Sequence, residues 1–387
     1  METAHSPQTK NWYDKSYKLL LIIPAVLIVF SIIFMIGFYN QHGDFIKKDV
    51  SLTGGATVTV FDSNADAVKI SEKLKGEFPD IVYRVISDFR SGQQKGFSVE
   101  TASGSQNLTI ALERELGYKL TTENSSVEFS GATLSEGFYS QLINAIIAAF
   151  LLMSWVVFII FSNSWKVRAF STMLTFFGTA IVLNQVKWLL VISTLLILAG
   201  GIVAFVNKRS NKTEKILAVL GFFGLPLIIY LLPFEIFALF GGIVLIALYL
   251  YNSIPSFAVI FSAFADIFLT LVVVDIMGIS VSSAGIIAFL MLIGYSVDTD
   301  ILLTSRLLRN KEGNVNHRLF EAFKTGITMT LTAIAAVGIS FLLVYSFSST
   351  LRQIFGIILI GLVFDIMNTW ITNASMLKWF MEAKHLS

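Results

Sequence analysis

Two carboxylates, Asp298 and Asp300, stand inside the apolar run Ile293-Gly-Tyr-Ser-Val-Asp-Thr-Asp-Ile-Leu-Leu-Thr-Ser-Arg306. An aspartate at the centre of a membrane helix costs about 2.5–3.5 kcal/mol on insertion scales, so a partner or a function must compensate. Each helical residue turns the chain by about 100°, which sets the two side chains roughly 200° apart, and both cannot face one cavity squarely. Asp298 is expected to be the buried functional carboxylate. Asp300, nearer the helix end, is expected to cap, to reach interfacial water, or to meet Arg306 or Lys324. Three further polar stripes recur at helical spacing. They are Ser262, Asp266 and Thr270; Lys324, Thr328 and Thr332; and Asp365, Asn368, Thr369, Thr372 and Asn373. Residues three or four apart share a helix face, so each stripe can be aimed at a common bundle interior. Two roles are open to them: hydrogen bonding between helices, or a proton relay and polar core carried by the carboxylates.

The elements that must position these groups are membrane helices. Over half of the chain is apolar, at 55%, and only 14% is charged, which describes a polytopic α-helical membrane protein. With no cysteine, disulfides, thiolate catalysis and Cys-ligated metals are excluded. His5, His42, His317 and His385 are scattered without metal-ligand spacing, so no metal and no cofactor is expected. Basic residues form no phosphate-binding stripe, which argues against nucleic acid.

Apolar stretches of membrane length fall at about 18–39, 141–162, 168–184, 188–206, 216–232, 234–251, 256–276, 283–304, 325–346 and 354–377. Lys166 and Arg168, the cluster Lys208, Arg209, Lys212 and Lys215, then Arg306, Arg309, Lys311 and Arg318, and finally Lys378 and Lys384 fall on alternate connections. By the positive-inside rule these are cytoplasmic, as are both termini. The organisation expected is a cytoplasmic N-terminus (1–17), a first membrane helix (18–40), an external domain (41–136) and a second helix (137–162). An inserted segment of about four helices (163–252), a four-helix part (253–379) and a cytoplasmic tail (380–387) follow. In the external domain the hydrophobic period switches from two to about 3.6 and back. Val50–Phe61 reads as a strand, Ala65–Phe78 as a helix, Ile81–Ser87 and Gly96–Ala102 as strands, Gln106–Leu116 as a helix, and Val127–Leu134 as a strand. This βαββαβ order is the α+β ferredoxin-like unit. Gly54 and Gly55 indicate a bulge or close backbone contact, and Gly294 indicates close helix packing.

Three segments resemble the SecF family of protein-export membrane subunits. They are Ser253-Ile-Pro-Ser-Phe-Ala-Val with Asp266, Gly294-Tyr-Ser-Val-Asp-Thr-Asp300, and Asp365-Ile-Met-Asn-Thr-Trp-Ile-Thr-Asn373. Thr53-Gly-Gly-Ala56 matches an element after the first helix of SecD and SecF proteins. The archaeal form is the more similar, since bacterial members usually read Asn-Asp where this chain reads Asp298-Thr299-Asp300. The resemblance implies a bundle of the RND/SecF type, with a SecD-like subunit, the SecY translocon, a translocating polypeptide and membrane lipid as partners. It also implies a non-enzymatic role in export across the cell membrane, with proton movement as the energy source in bacteria. Two departures stand out. Residues 163–252 interrupt the six-helix core, and Thr325, Thr328 and Thr330 occupy the neighbourhood where bacterial members carry an intramembrane arginine. The rival reading is an RND-type exporter of small molecules or lipids. Such exporters usually carry two six-helix halves and two large external domains, where this chain has one of each.

Overall fold

The computed structural model describes residues 12–88, 91–162, 165–183, 246–247, 249–309, 314–345 and 348–384. Residues 1–143 with 262–387 form one compact unit, and 144–261 form a second. Six helices among the described residues are long and apolar enough to cross a membrane: Lys15–His42, Leu134–Phe161, Ile254–Ile276, Ser283–Arg309, Val315–Val344 and Thr350–Ala383.

In the first unit, α1 (Trp12–Leu20) leads into α2 (Ile22–His42), which ends where Gly43 adopts φ +72° and donates its N–H to Tyr39. Twenty-one residues at 1.5 Å each span about 31 Å, the thickness of a hydrocarbon core. The soluble domain follows as α3 (Val50–Thr53), β1 (Gly55–Val60), α4 (Ala67–Leu74), β2 (Val82–Ser87), β3 (Gln94–Thr101), α5 (Ser105–Leu116) and β4 (Ser125–Ser130). Its sheet has the order β2-β3-β1-β4 with every neighbouring pair antiparallel, the ferredoxin-like topology expected from the pattern. Alternation puts Ala56, Val58, Val60, Phe97 and Val99 into one core with Ile70 and Leu74 of α4 and Leu108 and Leu112 of α5.

The first strand is shorter than its sequence pattern predicts. Asp49 accepts the N–H of Ser51 at 2.9 Å and caps a single helical turn, Val50–Thr53. Gly54 and Gly55 then take φ +82° and +139°, and the strand starts only at Gly55. A Cβ on Gly54 would lie 2.4 Å from the Cα of Ala132, and one on Gly55 2.3 Å from the carbonyl oxygen of Thr101. Close backbone approach is therefore the reason for the pair. The final strand stops at Ser130, because Ala132 already begins α6 (Ala132–Phe161).

The membrane bundle of this unit contains the Ser262–Ile276 part of α8 (Ile254–Ile276), then α9 (Ser283–Arg309), α10 (Val315–Val344) and α11 (Ser349–Met367). A π-helical segment, Asn368–Asn373, continues α11 into α12 (Ala374–Ala383). Small residues bring the helices together. A Cβ on Gly326 of α10 would lie 2.4 Å from Trp370, and one on Gly361 of α11 2.3 Å from Leu292 of α9. The connection between α8 and α9 turns at Gly278, φ +66°, and joins the soluble domain. Val281 donates to the carbonyl of Lys47 at 2.6 Å, Asp49 donates to the carbonyl of Val281 at 3.0 Å, and Ser283 donates to Ser51 Oγ at 3.0 Å. At the other end α1 meets α12, where Tyr17 donates to Glu382 at 2.5 Å and buried Lys378 donates to Asn316 at 2.8 Å.

In the second unit, α7 (Trp165–Val182) runs where the first helix of the insertion was expected. Trp155 of α6 donates to Thr172 of α7 at 2.8 Å. The predicted stretches at 188–206 and 216–232, most of that at 234–251, and the Lys208–Lys215 cluster lie outside the described residues.

Candidate functional site

Three carboxylates from three helices are buried in the centre of the first unit: Asp266 of α8, Asp300 of α9 and Asp365 of α11. The π-helical segment ties them together. Asn368 Nδ2 donates to Asp266 at 2.6 Å, Thr369 Oγ1 donates to Asp365 at 3.3 Å, and Asn373 Nδ2 donates to Asp300 at 2.8 Å. Thr372 donates to Asn368 Oδ1 at 3.1 Å, so one turn of chain supplies a donor to every carboxylate. Its i→i+5 winding draws Asn368, Thr369, Thr372 and Asn373 all into the interior, each no more than 1% exposed. Such segments are rare and recur at functional sites.

The neighbouring helices complete the shell. Ser296 of α9 donates to the second oxygen of Asp266 at 2.6 Å, and Thr330 of α10 donates to Asp365 at 3.3 Å. Ser262 and Thr369 lie beside Asp300, whose second oxygen makes no hydrogen bond of normal geometry among the described residues. No Lys or Arg pairs with any of the three carboxylates among the described residues; neutral hydroxyl and amide donors hold them. Among the described residues no cluster of acidic and histidine side chains could hold a metal ion. Hydroxyls both donate and accept, so Ser296, Thr330 and Thr369 can reorient when a carboxylate gains or loses a proton, whereas the amide nitrogens of Asn368 and Asn373 only donate. The arrangement is chemically suited to taking up and releasing protons in a water-poor interior.

Several expectations are reversed. Asp298 is exposed on the outer surface of α9, and Asp300 is the buried member of the pair. The 200° separation holds, but the inward direction is set by Leu292, Ser296, Asp300 and Leu303, the face that α9 packs inward. Asp300 consequently meets Asn373 and not Arg306 or Lys324. The stripe Lys324, Thr328 and Thr332 also faces outward, because the small residues Ala322, Gly326 and Thr330 form the packed face of α10. Among the described residues nothing lies within 4 Å of a Cβ position on Gly294, so the close packing expected there is not found. Asp266, Asp365, Asn368, Thr369 and Asn373 are brought together as their spacing suggests. Ser296 was missed; it lies four residues before Asp300, and that spacing is the signal that finds it. Thr330, singled out only as standing where bacterial members carry an arginine, proves to be a partner of Asp365.

An antiparallel ferredoxin-like domain, a set of membrane-length helices and a carboxylate-centred bundle define a polytopic membrane protein of the SecDF fold. The similarity extends over 97% of this chain and 39% of a Thermus SecDF described as a translocon-associated membrane protein, with a TM-score of 0.53 at 13% identity. The family model for the C-terminal part of the protein export membrane proteins SecD and SecF matches residues 209–383. The SecF of Methanolacinia petrolearia is 45% identical over 176 residues, 45% of this chain and 56% of that protein. That of Pyrococcus furiosus is 40% identical over 149 residues, 38% and 50% of the two chains. The matched stretch thus spans about half the length of these relatives. The SecF of Methanocaldococcus jannaschii aligns over 95% of this chain and 96% of its own length at 27% identity. Each of these relatives is a protein-export membrane protein SecF.

Proposed function

We propose that this chain is an accessory subunit of the Sec protein translocase. With a SecD-like partner it promotes movement of polypeptides through the SecY translocon across the cytoplasmic membrane, and proton flow through the cluster of Asp266, Asp300 and Asp365 is coupled to that movement. The observation that carries the partnership is the exposed face of α9. Ile287, Met291, Gly294, Tyr295 and Asp298 are all exposed and recur at helical spacing. A carboxylate near the middle of α9 is costly against lipid, so a protein surface with polar groups is its favoured neighbour. The outward Thr328 and Thr332 of α10 offer further polar surface for such contact. In this reading both termini are cytoplasmic, residues 41–136 are external, and 163–252 is an insertion with four crossings.

Purification of the tagged chain in mild detergent, followed by identification of co-purifying subunits, tests the assignment. A SecD-like subunit is expected at stoichiometric level. Recovery of a self-sufficient homo-oligomer without it would favour an exporter of the RND type. The Asp298 face supplies the second arm: Asp298→Leu is expected to weaken recovery of the partner while leaving the chain inserted.

A further inference from the structure

A groove of about 540 Å3 opens where the soluble domain meets the membrane bundle, in the size range of ligand pockets. Its walls are apolar along the bundle, with Ile279, Phe341, Ile357 and Ile360 among them. Its lining is also basic, with Lys47, Arg84 and Arg352 beside Tyr83 and Tyr345. Arg84 is paired with Glu100 at 3.5 Å, but neither Lys47 nor Arg352 has a carboxylate partner among the described residues. Arg352 is held in place by Tyr345, which its guanidinium covers at 5.1 Å from the ring centre and whose carbonyl accepts from it at 3.4 Å. The position is that of a membrane boundary. The apolar helix α10 ends at Val344 and α11 begins at Ser349, which sets Arg352 at helix-end level beside Tyr345, and Lys47 follows the end of α2 at His42.

We propose that this groove binds one anionic membrane phospholipid, its phosphate against Lys47 and Arg352 and a hydrocarbon chain lying along α10 and α11. The leaflet is the one on the side of the soluble domain. The charge distribution selects this occupant. Arg352 stands in the first turn of α11 and Lys47 is bonded to Val281 in the connection between α8 and α9, whereas the apolar Ile357 and Ile360 lie further along α11. The one amide side chain in the wall is already used, since Gln353 donates to the carbonyl of Ser280 and accepts from Ser282. A polypeptide segment would bring backbone N–H and C=O groups into the apolar part, where partners are lacking. A molecule with one charged head and an apolar tail satisfies both ends, and two unpaired cations favour a negative head over a zwitterionic one. The inference does not depend on the export reading.

The test is native mass spectrometry of the full chain, released from mild detergent after exposure to equal amounts of a phosphatidylglycerol and a phosphatidylcholine with the same chains. The wild type is expected to retain the anionic lipid over the zwitterionic one by about thirtyfold, from two interfacial cations. Lys47→Gln with Arg352→Gln should bring the ratio close to one, while Lys324→Gln, on an exposed basic residue outside the groove, should leave it unchanged. Gly356→Leu, which extends into the groove toward Phe341, should lower retention of both lipids. Equal retention of the two lipids by the wild type, or an unchanged preference in the double variant, would overturn the proposal. A photoreactive benzoylphenylalanine at Tyr345 should yield phospholipid adducts in membranes; polypeptide adducts in their place would equally overturn it.

Discussion

Gly326 controls how closely α10 approaches the π-helical segment, and replacing it by alanine is the most discriminating structural perturbation available. The new Cβ would lie 2.4 Å from Cζ2 and 2.9 Å from Cη2 of Trp370, distances that force one group to move by about 1 Å. Trp370 has little room, being 9% exposed and packed edge-on against Phe323 with ring centres 5.0 Å apart. Overpacking of this kind costs about 1–3 kcal/mol, and alanine's better helix propensity returns at most about 1 kcal/mol. Net destabilisation of roughly 0.5–2 kcal/mol is expected. Gly294→Ala is the matched control, since nothing lies within 4 Å of its Cβ position, and it should be neutral or slightly stabilising. Thermal unfolding of the purified chain in detergent gives the comparison. Trp370→Leu should suppress the Gly326→Ala defect in a double-mutant cycle by making room. Equal stability of Gly326→Ala and Gly294→Ala, or additive behaviour with Trp370→Leu, would refute the packing argument.

Further outcomes follow from other parts of the molecule. Asp266→Ala removes the acceptor of both Ser296 and Asn368 and should lower stability by about 1–3 kcal/mol, whereas Asp266→Asn retains an acceptor and should lower it by less than about 1 kcal/mol, as read by chemical unfolding in detergent. In the soluble domain, burial raises the Glu100 carboxyl above its usual range despite Arg84 beside it, with Asp49 and Glu128 adding to the rise, and Asp49 is raised by burial as well. The folded protein then holds these protons more tightly than the unfolded chain, so stability should decline as pH rises above about 4, and Glu100→Gln should flatten that decline in melting curves taken between pH 4.5 and 7.5. A single cysteine introduced at Asn211 should be labelled from the cytoplasmic side only; labelling from outside in intact cells would refute the four-crossing insertion.

The fold was legible where hydrophobic period and composition act alone. Alternation at Ala56, Val58 and Val60 and the helical spacing of Ile70 and Leu74 lead directly to the antiparallel ferredoxin-like sheet, because one buried face is enough to specify register. The one-turn helix at Val50–Thr53 was not legible, since its cause is a local cap by Asp49 followed by backbone contacts of Gly54 and Gly55 with distant residues. In the candidate site, spacing identified the stripes but not their direction. Every helix of a membrane bundle is apolar on more than one side, so the inward face of α9 depends on small residues elsewhere, such as Gly361 receiving Leu292. That is why Asp300, and not Asp298, joins Asp266 and Asp365. The π-helical turn carries no composition signal; its trace is two adjacent polar pairs, Asn368-Thr369 and Thr372-Asn373, which a regular α-helix would spread around a wider arc.

We propose that the buried carboxylates act in export through their ionisable group and not through packing. The rate at which a pulse-labelled secretory protein reaches the outside of cells carrying Asp365→Asn or Asp300→Asn tests it, with Asp298→Asn, on the outer face of α9, alongside. Asparagine keeps the shape and most hydrogen bonds of the cluster, so each variant should accumulate at the wild-type level. Export should be slowed severalfold by either cluster variant, with a clearly smaller effect of Asp298→Asn. Wild-type export rates with both cluster variants present at normal levels would contradict it and leave the three carboxylates a structural role alone.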